Sequence, residues 1–290
     1  MSRRPPCVIK FGGTALATPR RVARAARAVR ALHARGRDPV VVCSAAGHDT
    51  DRLLAWCRAL GAGPLAANVG RRGRERDRAL ATGEDRSAAL LALALELLGL
   101  SAKSLRGHEA GLRADGRFGA GDLQQVDDRP IRACLADGQI PVISGFHATR
   151  ADGETVTLGR GASDLVAVAI AAALRPQAPR AAVDTGLACA ARIVTDVDGV
   201  YEADPRRMPG ARRYARLTHA SLVRLAERGD QVVQAPAARL AAATGTPLVV
   251  SHFRRPLARG ASTIVHGTGD QWAGSPDAPT PRPALAGGWG

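Results

Sequence analysis

Short runs of consecutive apolar residues alternate along this chain with longer runs in which alanine and leucine recur at helical spacing. Five runs read as buried strands, at 7–11, 39–44, 140–145, 192–195 and 247–251. Each is too short for a helix and lacks the polar alternation of a half-solvated strand. Seven segments predict helices, at 19–35, 50–60, 85–98, 130–137, 163–174, 219–228 and 236–244. The stretch 107–126 has strand-and-turn character and predicts a hairpin on the sheet edge. Strands alternating with helices predict an α/β sandwich with a largely parallel sheet. A Pro/Ala-rich connector at 176–190 separates an N-terminal lobe, 1–175, from a C-terminal lobe, 176–266. From 267 to 290 the chain is Gly, Pro, Ser, Asp and Ala without periodicity, which predicts a disordered tail.

Composition narrows the class. The 290 residues suffice for one large domain or two modest ones. Apolar residues are 46% and aromatic residues only 3%, which suits Ala-rich helices packed on Val/Leu strands. No apolar run is long enough to span a bilayer, and the first residues lack a signal-peptide core, so no membrane association is expected. Five cysteines show no metal-ligand spacing, so no protein-held metal is expected. Cys7 and Cys43 lie in strand-like runs and read as core residues of a protein in the reducing cytoplasm. The net charge of +15 raises the question of nucleic acid. The arginines, however, are scattered on helix faces (Arg20, Arg24, Arg27, Arg30) with no aromatic platform among them. Attraction of anionic nucleotides and carboxylates is the better account, and no nucleic-acid partner is expected.

The chemistry begins with a lysine. Only Lys10 and Lys103 occur among 41 basic residues, and Lys10 opens Lys10-Phe11-Gly12-Gly13-Thr14. An ammonium can reach between phosphate oxygens as a compact point charge, where a guanidinium cannot. Strand, glycine turn and helix together aim backbone N–H groups at an anion. The same residues also suit a plain strand end and turn. Four further segments stand out. Small and hydroxyl residues at 44–51 join a strand to a helix, where Asp49 or Thr50 could also serve as a cap. Thr82-Gly83-Glu84 precedes an apolar helix, where Glu84 could simply complement the helix dipole. Gly159-Arg160-Gly161 offers a fork-shaped cation between two glycines, followed by Ser163 or Asp164 as a helix cap. Last, 195–206 is an acidic, glycine-turned loop that lacks the ligand spacing of a calcium site.

Taken in this order, the strings Lys-Phe-Gly-Gly-Thr, Leu-Gly-Arg-Gly-x-Ser-Asp and Thr-Asp-Val-Asp-Gly-Val-Tyr-x-x-Asp-Pro-Arg resemble the catalytic domain of aspartate kinases, within the amino-acid kinase superfamily. The resemblance runs from residue 7 to about 265. It implies a three-layer αβα sandwich that uses ATP and Mg²⁺ to phosphorylate the side-chain carboxylate of L-aspartate, as a homodimer. It implies that Lys10 neutralises the transferring phosphoryl group, with Gly12 and Gly13 as backbone donors and Asp164 orienting Lys10. Ser44, Thr50, Glu84, Phe146, Arg160 and Ser163 would hold the amino acid, Glu84 through its α-ammonium and Arg160 through a carboxylate. Thr195, Asp196, Tyr201, Arg206 and Gln231 would hold the nucleotide. A carboxylate is already a nucleophile, so positioning and charge neutralisation suffice.

Departures from the family pattern are Ala15 for Ser, Ala162 for Gly, His48-Asp49 for Lys-Thr, and Gln231 for a nucleotide-contacting Lys. The residues after 265 are too few for the regulatory ACT domains that follow the kinase domain in this family. Two alternatives follow: a kinase of another small amino acid or carboxylate in a specialised pathway, and a weakly active relative serving as a binding or regulatory subunit.

Overall fold

The computed structural model describes residues 4–61, 70–175, 190–229, 232–255, 262–267 and 269–272. The chain opens with β1 (Pro6–Phe11), the short α1 (Gly13–Leu16) and α2 (Pro19–Ala34). Then follow β2 (Asp38–Cys43), α3 (Asp49–Ala59), α4 (Gly70–Glu96) and β3 (Ala102–Leu105). A hairpin, β4 (Leu112–Arg117) and β5 (Ala120–Val126), precedes α5 (Arg129–Ala136) and β6 (Ile140–Ser144). Two short strands, β7 (His147–Thr149) and β8 (Thr155–Thr157), lead into α6 (Ala162–Leu174). The last part comprises β9 (Ala191–Thr195), β10 (Tyr214–Leu217), α7 (His219–Glu227) and α8 (Ala235–Thr244). It closes with β11 (Leu248–His252), β12 (Ser262–Val265) and β13 (Gln271–Trp272).

A nine-stranded sheet runs in the order β13-β10-β12-β11-β9-β1-β2-β6-β3. Its central pairings are parallel, with β1 between β2 and β9. Side chains alternate between faces along a strand. Val8, Val40, Val42, Ile143 and Ile193 pack on one face against α6, α7 and α8. Cys7, Ile9, Phe11, Val41, Cys43 and Val194 pack on the other against α2 and α4. Both faces are covered, which explains why these strands read as continuous apolar runs and gives the expected three layers. Parity also puts Lys10 on the Val8 face, pointing toward α6.

Helix α2 forms where expected because Thr18 caps it, accepting from the Arg21 N–H at 3.3 Å, with Pro19 in its first turn.

Several expectations change. The helix expected at 85–98 is the second half of a 27-residue helix that starts at Gly70. Glu84 therefore sits inside a helix and not at its N-terminus. The first half escaped notice because its inward face carries Arg76 and Asp77, both buried, where periodicity looks for apolar residues. The 107–126 hairpin forms, but in a separate four-stranded sheet, β5-β4-β7-β8, and not on the edge of the large one. Helix α6 is capped by Gly161, with Ser163 and Asp164 inside its first turn. The segment expected to lack structure from 267 onward includes β13: Trp272 stacks on Tyr214 at 4.0 Å between ring centroids. Asp270 there accepts hydrogen bonds from the Thr218 N–H and the Ser221 hydroxyl. The 176–189 part of the connector and residues 273–290 lie outside the described residues.

Candidate active site

In parallel sheets ligands gather beyond the carboxyl ends of the strands. Two cavities lie there. The first, of about 460 Å³, is lined by Lys10, Gly13, Ser44, Thr50, Glu84, Phe146, Arg160, Ser163 and Asp164 among others. These are the residues expected to hold the amino acid and the transferring group, with Gly13. The second, of about 360 Å³, is lined by Thr195, Asp196, Tyr201 and Arg206. Val232 lines both cavities, so they adjoin.

Lys10 is the last residue but one of β1, and its Nζ lies 2.7 Å from Asp164 Oδ1 in the first turn of α6. Both side chains are almost wholly buried. The Gly12 N–H, expected to donate to phosphate, instead donates to Val194 O at 2.9 Å. A Cβ at Gly12 would lie 3.3 Å from that same Val194 O and in ordinary contact, 3.6 Å, with Lys10 Nζ. Gly13 must be glycine, since a Cβ would stand 2.7 Å from Ala45 O.

Glu84 is 2% exposed. Its Oε1 accepts a hydrogen bond from the Ala45 N–H at 2.9 Å, while Oε2 is buried without a partner among the described residues. Burial pushes its pKa up to about 7, with the charge of Asp85 adding to the rise and the Ala45 N–H and Lys10 opposing it. A buried carboxylate oxygen without a partner is costly unless a ligand donor meets it. Glu84 Oε2 thus leaves an acceptor open to a hydrogen-bond donor.

Arg160 is exposed at the cavity wall, and no carboxylate among the described residues pairs with it. Gly161 next to it has φ +76°, and a Cβ there would stand 2.1 Å from Gln234 Cγ. The glycine thus allows both the left-handed turn and the close approach of Gln234.

At the second cavity Arg206 pairs with Asp196 at 2.6 Å, and the Thr195 hydroxyl donates to Asp196 at 3.2 Å. The Tyr201 hydroxyl donates to Asp198 at 2.5 Å. Burial, then that bond to a carboxylate, pushes the Tyr201 hydroxyl up to about 12, so it stays protonated. The loop is anchored by Thr263, which accepts from the Val200 N–H at 2.8 Å.

Gln231 lies outside the described residues. Val232 and Gln234 close by do line the first cavity, as do Gly119 and Thr157, and sequence reading missed all four. Gly119 and Thr157 are placed by Asp77, which accepts their N–H groups at 2.7 and 2.8 Å. A buried Asp two turns before Glu84 was the available signal. His48, among the departures, is exposed and faces Asp51 at 3.5 Å, while Ala15 and Ala162 are buried.

A three-layer sandwich with two adjoining polar cavities at the strand ends defines a class, and the model of the amino acid kinase family matches residues 5–252. The chain belongs to that family. It is 36% identical to the aspartokinase of Pseudomonas aeruginosa over 84% of this chain and 55% of that protein. It is 37% identical to the aspartokinase of Corynebacterium glutamicum, over 84% of this chain and 53% of the other. The crystal structure of aspartate kinase from Synechocystis superposes with a TM-score of 0.73 at 32% identity, covering 91% of this chain and 40% of that one. The chain thus spans about half the length of the curated relatives it matches.

Proposed function

We propose that this chain transfers the γ-phosphoryl group of ATP to the side-chain carboxylate of L-aspartate. The observation that carries the reading is the Lys10–Asp164 pair in a cavity that adjoins a second, loop-walled one. The similarity to aspartokinases supports aspartate as the acceptor. Residues up to 175 supply most of the amino-acid cavity and residues 195–232 the nucleotide cavity.

The amino acid binds with its α-ammonium on Glu84 Oε2 and a carboxylate on the Arg160 fork. Ser44, Thr50 and Ser163 supply hydroxyls, and Phe146 the apolar wall. Thr195, Asp196, Tyr201 and Arg206 hold the nucleotide, joined by Gln231. The attacking carboxylate oxygen forms its bond to the γ-phosphorus as the bond to the bridging oxygen of ADP breaks. Lys10 follows the phosphoryl charge from donor to acceptor, and Asp164 keeps the ammonium aimed. Mg²⁺ would neutralise phosphate charge with few protein ligands.

We also read the active form as a homodimer in the cytoplasm. The exposed Leu90 and Leu93 on α4, with exposed Leu97 just past its end, support self-association. A monomeric mass by sedimentation at all concentrations would end that reading.

The test is ADP release measured over a panel of amino acids and small carboxylates. Aspartate should give the highest kcat/KM. A better substrate elsewhere in the panel would establish the specialised kinase, and no turnover with any would establish the binding subunit. Arg160→Lys keeps the charge but loses the planar fork. It should raise KM for the amino acid about tenfold or more and leave KM for ATP within about twofold. An equal rise in both would remove Arg160 from the amino-acid site.

A further inference from the structure

Asp85 follows Glu84 on α4, and consecutive helical residues point about 100° apart. Glu84 faces the cavity, while Asp85 faces the end of β6. Asp85 Oδ1 accepts two hydrogen bonds, from Ser144 Oγ at 2.7 Å and from His147 Nε2–H at 2.9 Å. Ser144 ends β6 and His147 opens β7, and only Gly145 and Phe146 lie between them. One carboxylate oxygen therefore ties both ends of the turn that presents Phe146 to the cavity.

The turn is packed with no slack. A Cβ at Gly145 would lie 2.6 Å from Val42 Cγ1 and 2.9 Å from Ser163 Cβ. On its other side a Cβ at Gly107 would stand 2.2 Å from His147 O. A shift of the turn would thus displace Ser163 as well as Phe146, and both line the amino-acid cavity.

We propose that Asp85, Ser144 and His147 form a positioning cluster for amino-acid binding. Asp85 fixes Phe146 relative to Glu84, and its negative charge acts on the Glu84 carboxyl beside it. The proposal rests on Glu84 being the ammonium-binding group.

The groups around the two carboxyls set the sign of the electrostatic part. Glu84 is faced by Lys10 on β1, with Asp164 of α6 behind it, and by Cys43 on β2. Burial pushes the Cys43 thiol up, so it stays neutral. Asp51 of α3 and Arg160 line the same cavity. Arg86 on α4 is paired with Asp49. Asp85 is faced by His147, Ser144 and Arg106, the last already paired with Glu109. Burial pushes the Asp85 carboxyl up, but the bonds from His147 and Ser144 outweigh this and hold it below the ordinary range. Asp85 is therefore negative throughout the range in which Glu84 ionises, and removing its charge must move the Glu84 midpoint to lower pH.

The experiment has two arms. In the first, the free chain with ¹³C-labelled glutamate is titrated by NMR, with Glu84→Gln identifying the signal. Asp85→Asn, which keeps shape and an acceptor oxygen, should lower the Glu84 midpoint. In the second, KM is measured for both substrates. His147→Ala should raise KM for the amino acid about tenfold by loosening the turn, with KM for ATP within about twofold and melting temperature recorded alongside. His147→Gln, whose amide can donate in place of Nε2, should restore it. An unmoved Glu84 midpoint in Asp85→Asn, or equal rises in both KM values, overturns the proposal. If Asp85→Asn does not fold, Ser144→Ala tests the tie instead, and an unchanged amino-acid KM there overturns it. Absence of wild-type turnover with any amino acid would refute the proposed function, while the NMR arm would still read the coupling.

Discussion

Lys10→Ala is expected to lower kcat by about 10²–10³, the usual loss when a preorganised charge at the reacting group is removed. The structure adds a second effect. Lys10 and Asp164 are both buried and lie 2.7 Å apart. Removing one partner leaves the other uncompensated, which costs about 3–5 kcal/mol for a fully buried pair. The variant should therefore melt several degrees lower, and kcat must be measured well below that transition. Lys10→Arg separates the two effects. It keeps a charge for Asp164, so stability should largely return. The planar guanidinium cannot act as the compact point charge that an ammonium is, so kcat should stay low. Near-normal turnover in Lys10→Ala would show that Lys10 does not touch the phosphoryl group.

Glu84→Gln is expected to stabilise the unliganded chain and to cripple amino-acid binding. In the fold Glu84 has its pKa raised from the ordinary 4.5 to about 7. A raised folded value means that the native state holds the proton more tightly than the unfolded chain. Its contribution is fully present below about pH 4.5 and is lost as pH rises through about 7. At 1.36 kcal/mol per unit the loss is about 3 kcal/mol by pH 8. Glutamine has no proton to lose, so the variant should gain on the wild type as pH rises from 5 to 8. The same substitution removes the charge opposite the substrate ammonium. A charge-assisted hydrogen bond of about 1.5–3 kcal/mol corresponds to roughly a 10- to 150-fold rise in KM for the amino acid. In the wild type that KM should fall as pH rises toward 7 and Glu84 ionises, and in the variant this slope should vanish. Melting curves at the two pH values and a KM–pH series check both parts. A stability difference independent of pH would show that Glu84 is already ionised in the fold.

The central strands and the helices that cover them were legible in the chain because both depend on local pattern. A strand buried on both faces must be apolar throughout, as 7–9 and 40–43 are, and a helix covering it must repeat its small apolar residues at helical spacing. Lys10 and Thr195 lie at the ends of such strands and Arg160 in the turn before α6, so the residue types and glycine spacing carried over to the cavity walls. The Gly12 N–H, by contrast, is taken up by a strand distant in sequence.

Folding decided what depends on partners far apart along the chain. The first half of α4 is polar by composition, yet it is buried because Asp77 meets backbone donors 42 and 80 residues away. Strands of three or four residues, such as β7, β8 and β12, carry too little pattern to announce themselves and exist because a neighbour completes their hydrogen bonds. The cluster of Asp85, Ser144 and His147 joins residues 59 and 62 positions apart. By itself the sequence determined the buried strands, the helices that cover them and the glycine-flanked basic residues that follow them, because apolar period and loop chemistry are local. The tertiary structure alone decided how those residues are charged and aimed, because desolvation and pairing of a buried group depend on everything packed around it.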